Sequence, residues 1–105
     1  MNWEPITIQE LQKEITKSIN DLNDETFGFW QSIKIAPEKW IEKEFGNEGG
    51  GFWVVAIYNN YVIWYNDIEE GFNISEFNQK GHILEYNAEQ DELKFSIIKL
   101  KNLTK

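Results

Sequence analysis

The apolar residues near the start of the chain recur at the spacing of one helical face. From Thr7 to Leu22 they step by 3, 4, 4 and 3 positions, with polar residues between them, and they are Ile8, Leu11, Ile15, Ile19 and Leu22. Thr7 followed by Glu10 matches a capping box, which satisfies free N–H groups at a helix start. The pattern therefore predicts an amphipathic helix whose narrow apolar stripe covers a single surface.

The next two segments have mixed patterns on either side of Pro37. Phe27 to Ile35 alternates imperfectly between apolar and polar residues and ends before the proline, which is typical of a half-buried strand. Glu38 to Phe45 follows the proline and carries apolar residues at helical spacing, beginning with Trp40. Because proline is favoured in the first turn of a helix, we expect one or two helical turns there rather than an irregular loop.

The clearest pattern lies between Phe52 and Asn66, where two apolar runs, FWVVAIY and YVIWYN, flank a pair of asparagines. Asparagine tolerates the positive φ angles of a type I′ turn, so this pattern predicts a tight β-hairpin. A two-residue loop sets its register, and the predicted pairs are Tyr58 with Tyr61, Ala56 with Ile63, Val54 with Tyr65, and Phe52 with Asp67. Both faces of the hairpin are apolar. We therefore expect either a helix on each face or a second subunit over one of them.

The segments beyond the hairpin have weaker patterns. Asp67 to Gln79 is polar with a few apolar anchors, which favours a packed loop, and Gly81 to Tyr86 favours a short strand. Residues 89–101 fit the alternation of a strand as well as the spacing of a helix. Acidic residues precede basic ones there, an order that complements a helix dipole, and Asn87 with Gln90 offers a cap. We therefore favour a C-terminal helix.

Length and composition fit one domain built from these elements. The chain has 105 residues, enough for a single core, and 41% of them are hydrophobic, which excludes intrinsic disorder. We predict one α+β domain over residues 1–105. Its antiparallel sheet is centred on the hairpin at residues 52–66 and is flanked by an N-terminal and a C-terminal helix.

Charge and the rare residue types narrow the classes of function. With 18 acidic and 10 basic side chains the net charge is −8, which opposes binding to nucleic acid or anionic membranes and favours a basic protein partner. The chain has no cysteine and one histidine, His82, which excludes a disulfide framework, a thiolate nucleophile and a multi-histidine zinc site. No pattern calls for a cofactor, and His82 is interpreted as a structural or surface residue. Without a signal-peptide or membrane-span pattern, we expect a cytoplasmic protein.

The predicted register brings acidic residues together at one end of the hairpin. Asp67, Glu69 and Glu70 follow the second strand at the end where Glu48 and the glycines 49–51 precede the first. Such carboxylates can coordinate Ca²⁺ or Mg²⁺, supply an acid–base group with a raised pKa, or receive a partner's Lys or Arg. A Gly-rich strand start beside a solvated acidic loop explains the same pattern without a site.

Aromatic residues, 15% of the chain, are the second unusual feature. A small domain needs large rings to fill its core, since each ring buries about 150–250 Å², and any surplus forms an exposed binding or self-association patch. The predicted binding residues, acidic and aromatic together, are Glu48, Trp64, Tyr65, Asp67, Glu69, Glu70 and Phe72. We also expect a homodimer, because narrow helical stripes leave one face of the hairpin partly available.

Three runs in the sequence carry a resemblance to a known family. EGGGFWVVAI (Glu48–Ile57), VIWYNDIEEGFN (Val62–Asn73) and QDEL (Gln90–Leu93) resemble a family of small, uncharacterised bacterial proteins with a Gly-rich and Trp-rich core. The resemblance implies a bacterial cytoplasmic domain of unassigned function and transfers no catalytic residue. In size and acidity alone, the chain is also similar to toxin-neutralising immunity proteins.

Together these features favour a non-enzymatic, acidic protein-binding module, with an immunity-type inhibitor of a toxin as one form of it. No serine lies in a nucleophile-elbow pattern, and no catalytic residue is predicted. The alternative is an enzyme that acts on a small ligand or depends on a divalent metal. It would use the acidic loop of Asp67, Glu69 and Glu70.

Overall fold

The computed structural model describes residues 4–44 and 50–103, and within them the chain has the predicted α+β fold. Its helices are α1 (Ile8–Ile19), α2 (Asp24–Ile33) and α3 (Leu93–Leu103). Its strands are β1 (Lys34–Glu42), β2 (Phe52–Tyr58), β3 (Tyr61–Asn66), β4 (Gly71–Glu76) and β5 (His82–Ile83). The predicted N-terminal helix, central hairpin and C-terminal helix are confirmed, and β5 lies within the short strand predicted at 81–86.

The strands form one sheet in the order β4-β3-β2-β1-β5. The four strands from β1 to β4 pair antiparallel in sequence order, as a meander, and β5 pairs parallel with the end of β1. The helix start at α1 has the predicted capping box: Thr7 Oγ1 accepts the Glu10 N–H at 3.1 Å, and a Glu10 carboxylate oxygen accepts the Thr7 N–H at 3.0 Å. The central pair of strands thus carries the site described below, with α1 beside it.

The predicted strand from Phe27 to Ile35 is wrong, because most of this segment is α2. Asn23 caps the helix, and its Oδ1 accepts the Thr26 N–H at 2.8 Å. Two carboxylates follow in the first turn, where the helix dipole favours negative charge. The buried residues of α2 then fall on one helical face, which includes Trp30 and Ile33.

The helical turns predicted at Glu38 to Phe45 are also wrong where the structure describes them, because residues 34–42 form β1; Phe45 lies outside the described residues. The pairing of β1 with β2 is irregular between Lys34 and Glu38, and Pro37 falls in this stretch. A proline has no N–H to donate to a ladder, so it fits an irregular stretch rather than a regular one. Pairing with the hairpin therefore overrides the helical spacing.

The hairpin has the predicted turn but only part of the predicted register. Tyr58 pairs with Tyr61 and Ala56 with Ile63, as expected. An irregularity between Val54 and Ala56 then shifts the pairing by one position, so that Val54 faces Trp64 instead of Tyr65. The shifted register no longer places Asp67 opposite Phe52, and the acidic turn after β3 takes a different neighbour, described below.

The segment from Asp67 to Gln79, predicted as a packed loop, contains β4, which pairs with β3 at six positions. Its polar residues Asn73 and Ser75 are buried and hydrogen-bonded. The Asn73 amide donates to the Glu89 carbonyl at 3.1 Å, and Ser75 Oγ accepts from Trp64 Nε1 at 2.9 Å. Because polar residues take buried positions in β4, its sequence does not show the apolar alternation that predicts a strand.

The C-terminal helix has a different cap from the predicted Asn87 and Gln90. Ser18 Oγ on α1 accepts the Lys94 N–H at 3.1 Å, while the Asn87 amide donates to the Ile74 carbonyl at 2.9 Å. Asn87 therefore holds the 85–91 segment to β4, and α3 takes its cap from another helix.

Both faces of the sheet are covered within the described residues. The three helices pack on one face, where the buried helical residues are Leu11, Trp30, Ile33, Leu93, Ile97 and Leu100. On the other face, Trp40, Phe52, Val54, Val62, Trp64 and Ile83 are buried together, with Ile68, Phe77 and Tyr86 packed against them. Chain segments after β3 thus pack on this face, and no helix of the described residues lies on it. The homodimer stays a prediction, but without the uncovered sheet face on which it was based.

Candidate functional site

A groove of about 650 Å³ lies between the start of α1 and the turn that follows β3. We call it the α1–β3 groove. Five carboxylates, one ammonium group and several apolar side chains line it: Glu4, Pro5, Ile6, Glu10, Lys13, Glu14, Tyr65, Asp67, Ile68 and Glu70. With five negative groups and one positive group, its lining carries a formal charge of −4.

The backbone of Ile6 fixes the position of the groove. Its N–H donates to Asp67 Oδ2 at 2.5 Å, and its carbonyl accepts from Trp53 Nε1 at 3.3 Å. One side chain from the sheet and one from the turn after β3 therefore hold the residue that leads into α1. Glu10 and Glu14 are four positions apart on that helix and so point to the same side, which is the side of the groove.

Asp67 has the most unusual environment in the groove. Its side chain is only 7% exposed, and Oδ1 is the one buried side-chain polar atom without a hydrogen-bond partner among the residues that the structure describes. Burial raises the pKa of Asp67, while the N–H groups of Ile6 and of Asp67 itself and the charge of Lys39 act in the opposite direction. A buried acceptor without a partner is costly, so this oxygen would gain from a donor.

Tyr65 contributes an aromatic wall and a hydroxyl group to the groove. Burial and, after it, the charges of nearby carboxylates, Glu70 foremost, together raise the pKa of Tyr65 to about 12. The hydroxyl therefore stays protonated at neutral pH and can both donate and accept a hydrogen bond. The Phe72 ring packs edge-on against the Tyr65 ring, with the two ring centroids 4.9 Å apart.

The turn after β3 is held in place by Asn66. Its Oδ1 accepts the N–H groups of Ile68 and Glu69 at 3.0 and 3.2 Å. Its amide donates to the Asn87 carbonyl at 3.0 Å, which ties the turn to the 85–91 segment. Glu70 ends the turn with a φ of +58°, a left-handed conformation that side chains other than glycine rarely adopt. The turn thus presents Asp67 and Glu70 to the groove.

The structure separates the seven predicted binding residues. Tyr65, Asp67 and Glu70 line the α1–β3 groove, whereas Glu69, in the same turn, does not. Trp64 is fully buried on the opposite face of the sheet, and Phe72 is buried behind Tyr65. Glu48 lies outside the described residues. His82, interpreted as a structural or surface residue, is exposed on β5.

Sequence reasoning missed the half of the groove that α1 and the preceding residues supply. In the sequence, Glu10 was interpreted only as part of a capping box. The four-residue spacing between Glu10 and Glu14 was the available signal, because it puts both carboxylates on one side of the helix. The contact between Ile6 and Asp67 joins residues 61 positions apart. No local pattern announces such a pairing.

The carboxylate acceptors and apolar side chains of the groove suit an organic cation with an apolar stem. Pro5, Ile6 and Ile68 offer apolar contacts beside the carboxylates. In the part of the chain that the structure describes, no three His, Asp or Glu side chains are grouped so as to hold a metal ion. Among the same residues, no helix has the length and apolar character needed to cross a bilayer.

The comparisons with known proteins give no further guide to this groove. No family model matches the chain, and neither the curated proteins nor the solved structures include a match. The resemblance to a family of small bacterial proteins stays a prediction. Function must therefore be argued from the groove's own charge and geometry.

Proposed function

We propose that this protein is a non-enzymatic binding module that receives a basic side chain of a protein partner in the α1–β3 groove. The observation that carries this function is the buried Asp67 Oδ1, a carboxylate oxygen that has no hydrogen-bond partner in the described part of the chain. Burial of this carboxylate already lowers the free energy of unfolding of the unbound protein. A cationic donor that reaches Oδ1 would recover part of this loss.

The surrounding charges support the same partner class. Glu10, Glu14 and Glu70 add negative potential around Asp67, and the whole chain carries a net charge of −8. Such a field speeds the encounter with a basic protein and repels an acidic one. An immunity-type inhibitor of a toxin in a bacterial cytoplasm is the form we favour, on the strength of small size, acidity and the family resemblance.

A basic peptide provides the first test. We would titrate the protein with a peptide of about ten residues that alternates Gly and Lys, and follow backbone amide shifts by NMR. We expect shifts at Ile6 and Ile68, because they line the groove. The double variant Glu10→Gln with Glu14→Gln should bind about three- to tenfold more weakly at low salt, and this difference should shrink as salt screens the charges.

A charge-matched control separates the groove from overall acidity. Glu44 and Glu85 are exposed and do not line the groove, so Glu44→Gln with Glu85→Gln removes the same net charge elsewhere. We expect this variant to bind nearly as the natural chain does. Equal weakening by both double variants would show that the peptide responds only to net charge, and would overturn the groove as the binding site.

The same sample tests the alternative of a divalent-metal-dependent enzyme. An ion bound at a hundredfold excess over its Kd stabilises a protein by about 2.7 kcal/mol, which raises the Tm of a small domain by several degrees. We expect almost no change in Tm with millimolar Ca²⁺ or Mg²⁺. A clear rise that Asp67→Asn abolishes would favour the metal site over the binding module.

A further inference from the structure

Resting on the proposed function, we infer that the α1–β3 groove selects a primary ammonium on an unbranched stem, a lysine side chain, over the guanidinium of arginine. The two oxygens of Asp67 differ in a way that bears directly on this choice. Oδ2 accepts the Ile6 N–H at 2.5 Å, whereas Oδ1 has no hydrogen-bond partner among the residues that the structure describes. Asp67 thus offers one oxygen that accepts no hydrogen bond and one that already accepts a bond from the backbone.

Arginine binds a carboxylate best through a planar fork that uses both oxygens at once. At Asp67 this fork would have to share Oδ2 with the Ile6 N–H, which already uses part of the acceptor capacity of that oxygen. Ile6 is not free to move away, because its carbonyl is held by Trp53 Nε1 at 3.3 Å. An ammonium group donates along single directions, so it can reach Oδ1 and leave the Ile6 contact intact.

The side chains around Asp67 provide for the other N–H bonds of an ammonium. Glu70, Glu14, Asp67 and Tyr65 all line this groove, so each can contribute an acceptor to the same ligand. An ammonium has three N–H donors and can be shared among Asp67, the Tyr65 hydroxyl and a glutamate. Ile6 and Ile68 then flank a methylene stem.

None of the basic residues that the structure describes already fills that position. Lys13 lines the groove, but the carboxylate on which its charge acts is that of Glu10. Lys39 is the cation whose charge acts on Asp67, and its Nζ lies 5.2 Å from the centroid of the Trp53 ring. Neither donates to Oδ1, which has no partner among the described residues.

Three peptides of equal charge and length test the selectivity. They alternate Gly with Lys, with Arg, or with trimethyl-lysine, which keeps its positive charge but has no N–H to donate. We expect the Lys peptide to bind the natural chain at least about fivefold more tightly than either of the others. In Asp67→Asn, which removes the charge and keeps an oxygen for Ile6, the three affinities should become nearly equal.

Each outcome separates the selectivity from the function on which it rests. Equal or tighter binding of the Arg peptide, still weakened by Glu10→Gln with Glu14→Gln, would overturn the lysine preference and leave the binding module standing. Tight binding of the trimethyl-lysine peptide would show that charge alone is read, and would also overturn it. No binding of any peptide would overturn both proposals. If Asp67→Asn fails to fold, the comparison of Lys with trimethyl-lysine on the natural chain still decides.

Discussion

Asp67 and Ile6 lie 61 positions apart in the sequence, yet the Asp67 carboxylate accepts the Ile6 N–H at 2.5 Å. This bond joins the end of β3 to the residue that leads into α1. It therefore closes one side of the α1–β3 groove and also decides which Asp67 oxygen stays free. In our proposal, stability and binding specificity depend on the same carboxylate, and substitutions at this position can separate them.

Asp67→Ala should destabilise the fold more than Asp67→Asn does. Alanine leaves the Ile6 N–H without its acceptor, a loss of about 1–3 kcal/mol in the free energy of unfolding. Asparagine supplies an amide oxygen for the same N–H and removes a buried charge, so at pH 7 it should lie within about 1 kcal/mol of the natural chain. Urea denaturation of the three proteins provides the comparison, and equal losses in both variants would contradict it.

The same carboxylate should give stability a defined pH dependence. Burial raises the pKa of Asp67 above its ordinary value of 3.8, so the folded state holds this proton more tightly than the unfolded chain. The resulting stabilisation is fully present below pH 3.8 and is lost as the pH rises through the raised value. The contribution of Glu10 to stability changes with pH in the opposite direction, because hydrogen bonds with Thr7 lower the pKa of Glu10. As the pH rises from 3.8 through the raised pKa of Asp67, the free energy of unfolding of the natural chain should therefore fall relative to that of Asp67→Asn. A constant difference in urea denaturation would refute this assignment.

Local signals account for the parts of the fold that the sequence predicts well. The capping box at Thr7, the paired asparagines of the hairpin and the charge order before α3 each act within a few residues. The α2 helix was missed although Asn23 caps it, because the imperfect alternation from Phe27 to Ile35 is typical of a strand. β4 was missed because Asn73 and Ser75 interrupt its apolar pattern, and their burial depends on a segment far along the chain.

The site was predictable only in its acidic turn. Asp67, Glu70 and the adjacent Tyr65 form half of the groove, and all three were predicted. Trp64 and Phe72 were also predicted as binding residues, but large rings in a small domain fill the core first. The other half of the groove depends on the non-local bond at Ile6. A register shift at Val54, invisible in the hairpin sequence, also moved the predicted neighbour of Asp67.

Ser18→Ala should weaken the docking of α3 on α1. Ser18 is only 2% exposed, and its Oγ accepts the Lys94 N–H at 3.1 Å in the first turn of α3. Loss of a helix cap costs about 0.5–2 kcal/mol, and hydrogen exchange at the Lys94 amide should accelerate. Ser32→Ala is the control, because Ser32 is exposed and should change stability by less than about 0.5 kcal/mol. Equal effects of the two substitutions would argue against a capping role for Ser18.

Glu70→Gly should stabilise the protein. Glu70 has a φ of +58°, and a side chain in this left-handed region costs about 1–2 kcal/mol. The greater freedom of glycine in the unfolded chain offsets part of this gain, which leaves a net increase of about 0.5–1 kcal/mol in thermal or urea denaturation. Glu69→Gly, one position earlier and without positive φ, should be destabilising instead. Loss of stability in Glu70→Gly would show that its carboxylate has a structural role.

Gly71→Ala and Gly28→Ala should change stability in opposite directions. A Cβ on Gly71 would lie 2.6 Å from the Gln90 carbonyl carbon and 2.7 Å from the Glu89 carbonyl oxygen, too close for backbone atoms that cannot rotate away. The 85–91 segment would have to move off β4, at a cost of about 1–3 kcal/mol. Gly28 lies within α2, and apart from its chain neighbours and the adjacent helix backbone no described atom lies within 4 Å of an added Cβ, so alanine there should stabilise by about 0.5–1 kcal/mol.

Amide hydrogen exchange distinguishes this mechanism from a general loss of packing. The Phe72 N–H donates to the Asp91 carbonyl at 2.8 Å, and the Glu89 N–H donates to Asn73 Oδ1 at 2.8 Å, so both report on the contact between β4 and the 85–91 segment. Relative to the natural chain, Gly71→Ala should accelerate exchange at these two amides by a larger factor than at the amides of α1, which is not part of this contact. Uniform acceleration throughout the chain, or no loss of stability in Gly71→Ala, would mean that this segment does not depend on the missing side chain at position 71.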